Sequence, residues 1–282
     1  MVDVNSRIAQ ALSRIRQERP LIHHVTNLVV MNDSANLTLH LGALPVMAYA
    51  LEEVAEMVDQ ADALLLNLGT PTPARVESMC VGGRRANERG IPVVFDPVGA
   101  GATTLRTESS LRLLDELEIA VVRGNAGEIA SLGEALGLDT HAGPRRGAMV
   151  RGVQSVMGAD DPVSVAWALA REVGTTVAIT GERDIVSDGR RALRVDNGHR
   201  WLTTITGTGG MATTAIAAFA AVEGDHLVAA VGGLACLGVA AELAAPEARG
   251  PASFKVALFD RIYALTSEQL AGVARIMPMQ AA

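Results

Sequence analysis

The feature that most constrains this chain is a series of short, unbroken apolar runs, each closed by a turn residue and followed by a helical stretch. Residues 61–69 read ADALLLNLG and residues 91–99 read IPVVFDPVG. Similar runs occupy 20–25, 44–48, 119–122 and 175–180. A strand with one wet face alternates apolar and polar side chains, whereas continuous apolarity predicts burial on both faces. Between the runs lie helical patterns over 29–41, 51–61, 72–89 and 163–171, with Gly90 placed to stop the third. Strands alternating with helices build βαβ units, so the expected fold is α/β, a central mostly parallel sheet with helices on both faces.

The last third follows a different grammar. Residues 184–187, 192–195 and 201–204 alternate, and Asp188-Gly189 and Asn197-Gly198 between them are hairpin turn signals. Three helical stretches follow, near 208–222, 226–243 and 253–273. Residues 137–161, with their glycines and Pro144-Arg145-Arg146, show no period and are expected to be an exposed loop or insertion. No linker or repeat divides the chain, so residues 1–282 are expected to form one domain.

The first twenty residues carry Asp3, Arg7, Arg14, Arg16 and Glu18 and lack the apolar centre of a secretory signal. An amphipathic helix and a cytoplasmic protein are the expectations there. Residues 227–241 are uncharged but short of the roughly 20 residues a spanning helix needs, so a buried core helix is expected rather than a membrane span. A net charge of −7 without a basic stripe, and 3% aromatic residues, argue against a nucleic-acid surface. Cys80 and Cys236 both sit in apolar helical patterns and read as buried thiols.

The sharpest chemical signal is ITGTGG, residues 205–210, running directly into the small-residue helix MATTAIAAFAAV. Glycines let backbone N–H groups approach phosphate oxygens, and a helix N-terminus adds positive partial charge. A tight turn with close helix packing would use the same residues, and no lysine follows to make a P-loop. Asp96 closes one apolar strand and Glu128 opens the helix after another. Ligands of open parallel sheets gather at the carboxyl ends of strands, where two carboxylates could hold Mg²⁺. An Asp-Pro turn and a first-turn helix acid explain the two equally well. Arg123 follows the strand 119–122 and could neutralise phosphates, or form a surface salt bridge. Thr180 ends its strand at the same edge and could border a nucleotide, or simply begin a turn. His23 and His24 lack a third ligand for a metal. Asn27 is the better ligand candidate, with Met47 either a soft pocket wall or core.

Taken in order, HHVTNLVVMN, GALPVMAYALEEV, LNLGT, FDPVGAGAT, RGNAGEIASL, VAITGERD, DNGHRWLTTITGTGG and GPASF resemble the hydroxyethylthiazole kinases of thiamine salvage, in the ribokinase-like superfamily. They cover about residues 20–260. The resemblance implies ATP- and Mg²⁺-dependent phosphorylation of the primary alcohol of 4-methyl-5-(2-hydroxyethyl)thiazole. It implies that Asn27, Met47 and Gly207 line the thiazole pocket, that Arg123 and Thr180 contact ATP, and that Asp96 and Glu128 support Mg²⁺. Gly207, Thr208, Gly209 and Gly210 would form the anion hole, and the enzyme would be a homotrimer with sites at subunit contacts. One position departs: such kinases usually carry Cys, and other superfamily members Asp, where this chain has Gly210. General-base help is worth roughly 10²–10⁴-fold, so a slowed kinase is expected. A hydroxymethylpyrimidine-type kinase and an impaired thiazole- or nucleotide-binding protein are the alternatives.

Overall fold

The computed structural model describes residues 3–138, 149–151, 154–157 and 161–280. Helix α1 (Val4–Glu18) leads into strand β1 (Leu21–Val25), helix α2 (Met31–Leu41) and strand β2 (Leu44–Val46). Then come α3 (Val54–Val58), β3 (Ala63–Asn67), α4 (Pro73–Arg89), β4 (Val93–Asp96), α5 (Thr104–Glu116), β5 (Val121–Asn125) and α6 (Ala126–Ala135). A separate antiparallel pair, β6 (Met149–Arg151) and β7 (Gln154–Met157), occupies part of the segment expected to be a loop; most of the rest of that segment lies outside the described residues. The chain continues through α7 (Pro162–Val173), β8 (Thr176–Thr180), β9 (Asp184–Ser187) and β10 (Ala192–Val195). It ends with α8 (Thr208–Ala220), α9 (His226–Ala244), α10 (Pro251–Ala264), α11 (Ser267–Val273) and β11 (Ile276–Met279).

The main sheet has nine strands in the order β11-β10-β9-β8-β5-β4-β3-β1-β2. The run from β2 to β8 is parallel, and β9, β10 and β11 extend it antiparallel. The expected third hairpin strand at 201–204 is instead a 3-10 turn, Arg200–Thr204. Its place beside β10 is taken by β11, whose pairing partner lies far away in sequence and left no local signal. The single helical pattern over 253–273 breaks between α10 and α11, where Thr266 caps the second helix.

The central apolar runs are buried on both faces, as their continuity predicts, whereas β2, expected to be buried likewise, is an edge strand and only half-buried. Ile22, Ala63, Leu65, Val94 and Val121 face a core shared with α1, α2, α8, α9 and α10. Leu64, Leu66, Val93, Phe95 and Val122 face the opposite core under α4 to α7. Helix α9 is long and apolar enough to cross a membrane, but 89% of its apolar window is buried within the fold. Alanine and glycine allow this: a Cβ on Gly233 would stand 2.5 Å from the Ile216 backbone nitrogen, so α8 and α9 approach nearly backbone to backbone.

The strand order reverses between β1 and β3. From β1 the chain steps outward to β2, then returns to the other side of β1 and proceeds through β3, β4, β5 and β8. Such a reversal opens a crevice at the carboxyl ends of the two strands, the usual place for a ligand in an open α/β sheet.

Candidate active site

The candidate site residues singled out in the sequence lie along the carboxyl-end edge of the sheet, from that crevice to β8. Asn27 lies just beyond β1, Asp96 closes β4, Arg123 lies within β5, Glu128 in the first turn of α6, and Thr180 closes β8. Met47 is half-buried one residue past β2. Gly207 caps α8 with φ 94°, a left-handed conformation that favours glycine. Helix α8 packs across β3 and β4, which brings its N-terminal glycine turn to the same edge of the sheet.

Asp96 is buried, and among the described residues its hydrogen bonds and ion pair all fall on one oxygen. Oδ2 accepts from Asn67 Nδ2 at 2.7 Å and from Thr213 Oγ1 at 2.8 Å, with Arg123 Nη1 at 3.5 Å. Oδ1 is buried with no partner among the described residues. Burial raises the Asp96 carboxyl above its ordinary range, against the pull of Arg123 and the two side-chain donors. Glu128 Oε1 accepts from the Gly99 N–H and Oε2 from the Asn125 N–H, both at 2.8 Å. Asn125 Oδ1 accepts the Glu128 N–H in return, completing a capping box. The helix-start role is therefore real, but the carboxylate it holds also lies within electrostatic reach of Asp96. Burial first, and the Asp96 charge second, push Glu128 up to about 7.

Arg123 is not a surface residue. It is 9% exposed, and its guanidinium reaches both Asp96 and the Thr180 hydroxyl. A Cβ on Gly209 would stand 2.7 Å from Arg123 Nη1, so the glycine turn lies directly against the guanidinium. A Cβ on Gly210 would point instead at Val30, 2.9 Å from its Cγ2. Asp33, in the first turn of α2, lies near Gly207 and pairs with Lys255 of α10 at 2.8 Å. Lys255 is the only lysine in the sequence.

The histidine pair is structural. On alternate faces of β1, His23 Nε2–H donates to the Ala48 carbonyl at 2.6 Å, and His24 Nε2 stands 3.2 Å from Thr38 Oγ1. Because the Thr38 hydroxyl donates to Ser34 O, its oxygen accepts from His24. Burial, and to a lesser degree His23, lowers His24 to about 3, so it is neutral at ordinary pH. Among the described residues, no three His, Cys, Asp or Glu side chains gather to hold a metal. Cys80 and Cys236 are free and buried.

Three contributors escaped the sequence reading. Asn67 ends its apolar strand as Asp96 does, a signal that could have exposed it. Thr213 is hidden in the small-residue run of α8 and gives no signal. Thr70, in the left-handed region at φ 46°, accepts from the Leu28 N–H and from Arg75, whose guanidinium stacks on Tyr49. Backbone strain of this kind marks sites that the surrounding structure holds in place.

Comparison with known proteins points the same way. The model of the hydroxyethylthiazole kinase family matches residues 12–268. A hydroxyethylthiazole kinase of Roseiflexus sp. (strain RS-1) is 62% identical over 278 residues, covering 98% of each chain. One from Chloroflexus aggregans is 60% identical over 275 residues, 98% of this chain and 95% of that one. The solved structure of the hydroxyethylthiazole kinase of Pyrococcus horikoshii OT3 superposes with a TM-score of 0.86 at 42% identity, covering 97% of this chain and 99% of that one. A ribokinase-like superfamily protein from Enterococcus faecalis V583 shares the fold at a TM-score of 0.59 and 13% identity, over 88% and 87% of the two chains.

Proposed function

Because this chain belongs to the hydroxyethylthiazole kinase family, we propose that it transfers the γ-phosphoryl group of ATP to the primary alcohol of 4-methyl-5-(2-hydroxyethyl)thiazole. The observation that carries the reading is the gathering of a glycine-capped helix, a buried arginine and two buried carboxylates at the carboxyl ends of β4 and β5, next to the strands where the sheet order reverses.

In this reading Asn27, Met47 and Gly207 hold the thiazole, and Arg123 and Thr180 hold the ATP phosphates. The alcohol oxygen attacks the γ-phosphorus, the bond to the β,γ-bridging oxygen breaks, and ADP leaves. The N–H groups of the turn from Gly207 to Gly210 donate to the transferring oxygens, and Arg123 opposes their charge. Such transfers depend mainly on positioning and electrostatics through a loose transition state. Asp96 and Glu128 are the residues that would support Mg²⁺. The unpartnered Asp96 Oδ1 fits such a role, since a buried carboxylate oxygen without a donor invites a cation. Bound there, Mg²⁺ would neutralise phosphate charge. Gly210 offers no side chain, so the alcohol proton leaves to water or phosphate, and turnover is slow for the family.

The reading takes residues 1–282 as one kinase domain acting in the cytoplasm as a homotrimer. Leu28 and Val29 beside Asn27, 61% and 62% exposed, support sites completed at subunit contacts; light scattering that gave a monomer would sink the trimer. A coupled ADP-release assay tests the activity. Protein that bound neither the thiazole alcohol nor ATP by calorimetry would end the reading. Binding without turnover would establish the impaired-binder alternative, which Gly210 alone favours, and turnover restricted to a hydroxymethylpyrimidine would establish the other.

A further inference from the structure

The LNLGT segment, residues 66–70, carries the polar side chain that joins two parts of the site. Asn67, its asparagine, is 1% exposed and stands between two of the subsites just described. Asn27 Nδ2 donates to Asn67 Oδ1 at 2.7 Å, and Asn67 Nδ2 donates to Asp96 Oδ2 at 2.7 Å. The polarity of this chain is fixed at two points by backbone groups that can only donate. The Gly69 N–H donates to Asn67 Oδ1 at 3.0 Å, so the Asn67 amide cannot be turned over. The N–H groups of Val29 and Val30 donate to Asn27 Oδ1 at 2.9 and 3.2 Å, so neither can that of Asn27. A directed relay therefore runs across the ends of β1, β3 and β4. It starts in the loop after β1 and ends on the carboxylate whose other oxygen is unpartnered.

Resting on the kinase reading above, we infer that Asn67 is a positioning residue that sets the acceptor subsite and the cation-facing carboxylate in register. It touches neither the reacting phosphorus nor the alcohol. Its acceptor half holds the Asn27 amide, and its donor half holds Asp96 Oδ2, with Thr213 of α8 gripping the same oxygen. Asp96 is thereby locked with Oδ1 left without a donor among the described residues, and Asn27 with its amide nitrogen toward Asn67. Buried hydrogen bonds of this kind are costly to break, because each orphaned partner loses its water as well.

Two substitutions separate the halves. Asn67→Leu removes both. Asn67→Asp keeps the oxygen that accepts from Asn27 and Gly69 but puts a second carboxylate where Asp96 requires a donor. The leucine variant should raise KM for the thiazole alcohol and the Mg²⁺ concentration for half-activation together, each by about tenfold, the cost of leaving a buried amide or carboxylate oxygen without its partner. The aspartate variant should shift the Mg²⁺ requirement by a similar factor and leave the thiazole KM within about twofold of wild type. Melting temperatures are recorded alongside, because a merely structural asparagine would lower them without splitting the two constants. Folded variants with both constants within about twofold of wild type, or a leucine variant that moves only one, would overturn the inference. If the leucine variant does not fold, the aspartate variant decides alone, and an unchanged Mg²⁺ requirement sinks the proposal. Wild-type protein that phosphorylates no thiazole alcohol would sink the kinase reading separately. Calorimetry of ATP with Mg²⁺ on the same variants would then judge the relay, and Mg²⁺ dependence equal to wild type in both would reject it.

Discussion

Replacing Gly210 by cysteine tests the reading at its weakest chemical point. Gly210 is the third residue of α8, and its φ lies outside the left-handed region, so no backbone strain opposes a side chain. The obstacle is Val30: the new Cβ would stand 2.9 Å from Cγ2 and 3.5 Å from Cβ of a branched side chain that is 5% exposed. Branched side chains turn with difficulty at χ1. Overpacking of this kind costs roughly 1–3 kcal/mol, and replacing glycine in a helix returns a few tenths of that. Gly210→Cys should therefore lose about 1–2 kcal/mol, roughly 2–3 °C in Tm for a chain of this size. Val30→Ala deletes two methyl groups and should itself cost about 2 kcal/mol or slightly more. In the double variant the cysteine fills part of the space that the valine vacates, so the two costs should fall well short of additive. Turnover should rise by tens-fold in the double variant relative to Val30→Ala. That is below the full general-base range, because a thiol is only partly ionised at neutral pH, although the helix N-terminus helps. Thermal melts, calorimetry and coupled ADP release on all three variants complete the test. A double variant that melts with Val30→Ala, binds both substrates like the parent and turns over no faster would show that residue 210 does not face the alcohol.

Three further outcomes follow from the same geometry. Asp96→Asn and Glu128→Gln should each lower kcat by about a hundredfold or more and raise the Mg²⁺ requirement, since an anchored metal is worth several kcal/mol; unchanged kinetics in both would reduce these acids to a strand end and a helix cap. Gly69→Ala would bring a Cβ to 2.6 Å from Asn27 Nδ2 and 2.7 Å from Asn27 Cβ. It should raise the thiazole KM about tenfold with little change in the ATP KM, on the order of one lost hydrogen bond, and an unmoved thiazole KM would exclude Asn27 from that pocket. His24 is held near 3 when folded against an ordinary 6.5, so the unfolded chain binds the extra proton between those values. Its contribution is complete above pH 6.5 and is lost as pH falls toward 3, by up to about 5 kcal/mol; denaturation of His24→Leu should show a shallower acid decline, and parallel curves would refute this.

The parallel half of the sheet was legible because a strand covered on both faces must be apolar throughout, and 61–69 and 91–99 announce that directly. The edge was not. Residues 201–204 follow a turn signal and look like a strand, yet the actual neighbour of β10 comes from the C-terminal end, chosen by long-range packing that no local pattern records. The candidate site divides in the same way. Asp96, Arg123 and Thr180 were visible because polar residues closing apolar runs fall at one sheet edge. Glu128 carried a helix-cap explanation that proved true as well. Asn67 obeyed the rule that exposed Asp96, but it carries no charge to mark it within its apolar run. Thr213 became visible only once α8 was laid across β4.

All but one of the 24 basic side chains are arginines, and the exception sits beside the glycine turn in its pairing with Asp33. Guanidinium groups are inert to the mild acylating reagents that modify primary amines. The protein therefore carries a single side-chain amine as a built-in reporter, 36% exposed and tied to the first turn of α2. Its acylation rate, read by mass spectrometry, can be followed with no engineered tag and no competing lysine. Any ligand that settles against Gly207 and tightens the Asp33 contact would register as protection of one atom, Lys255 Nζ.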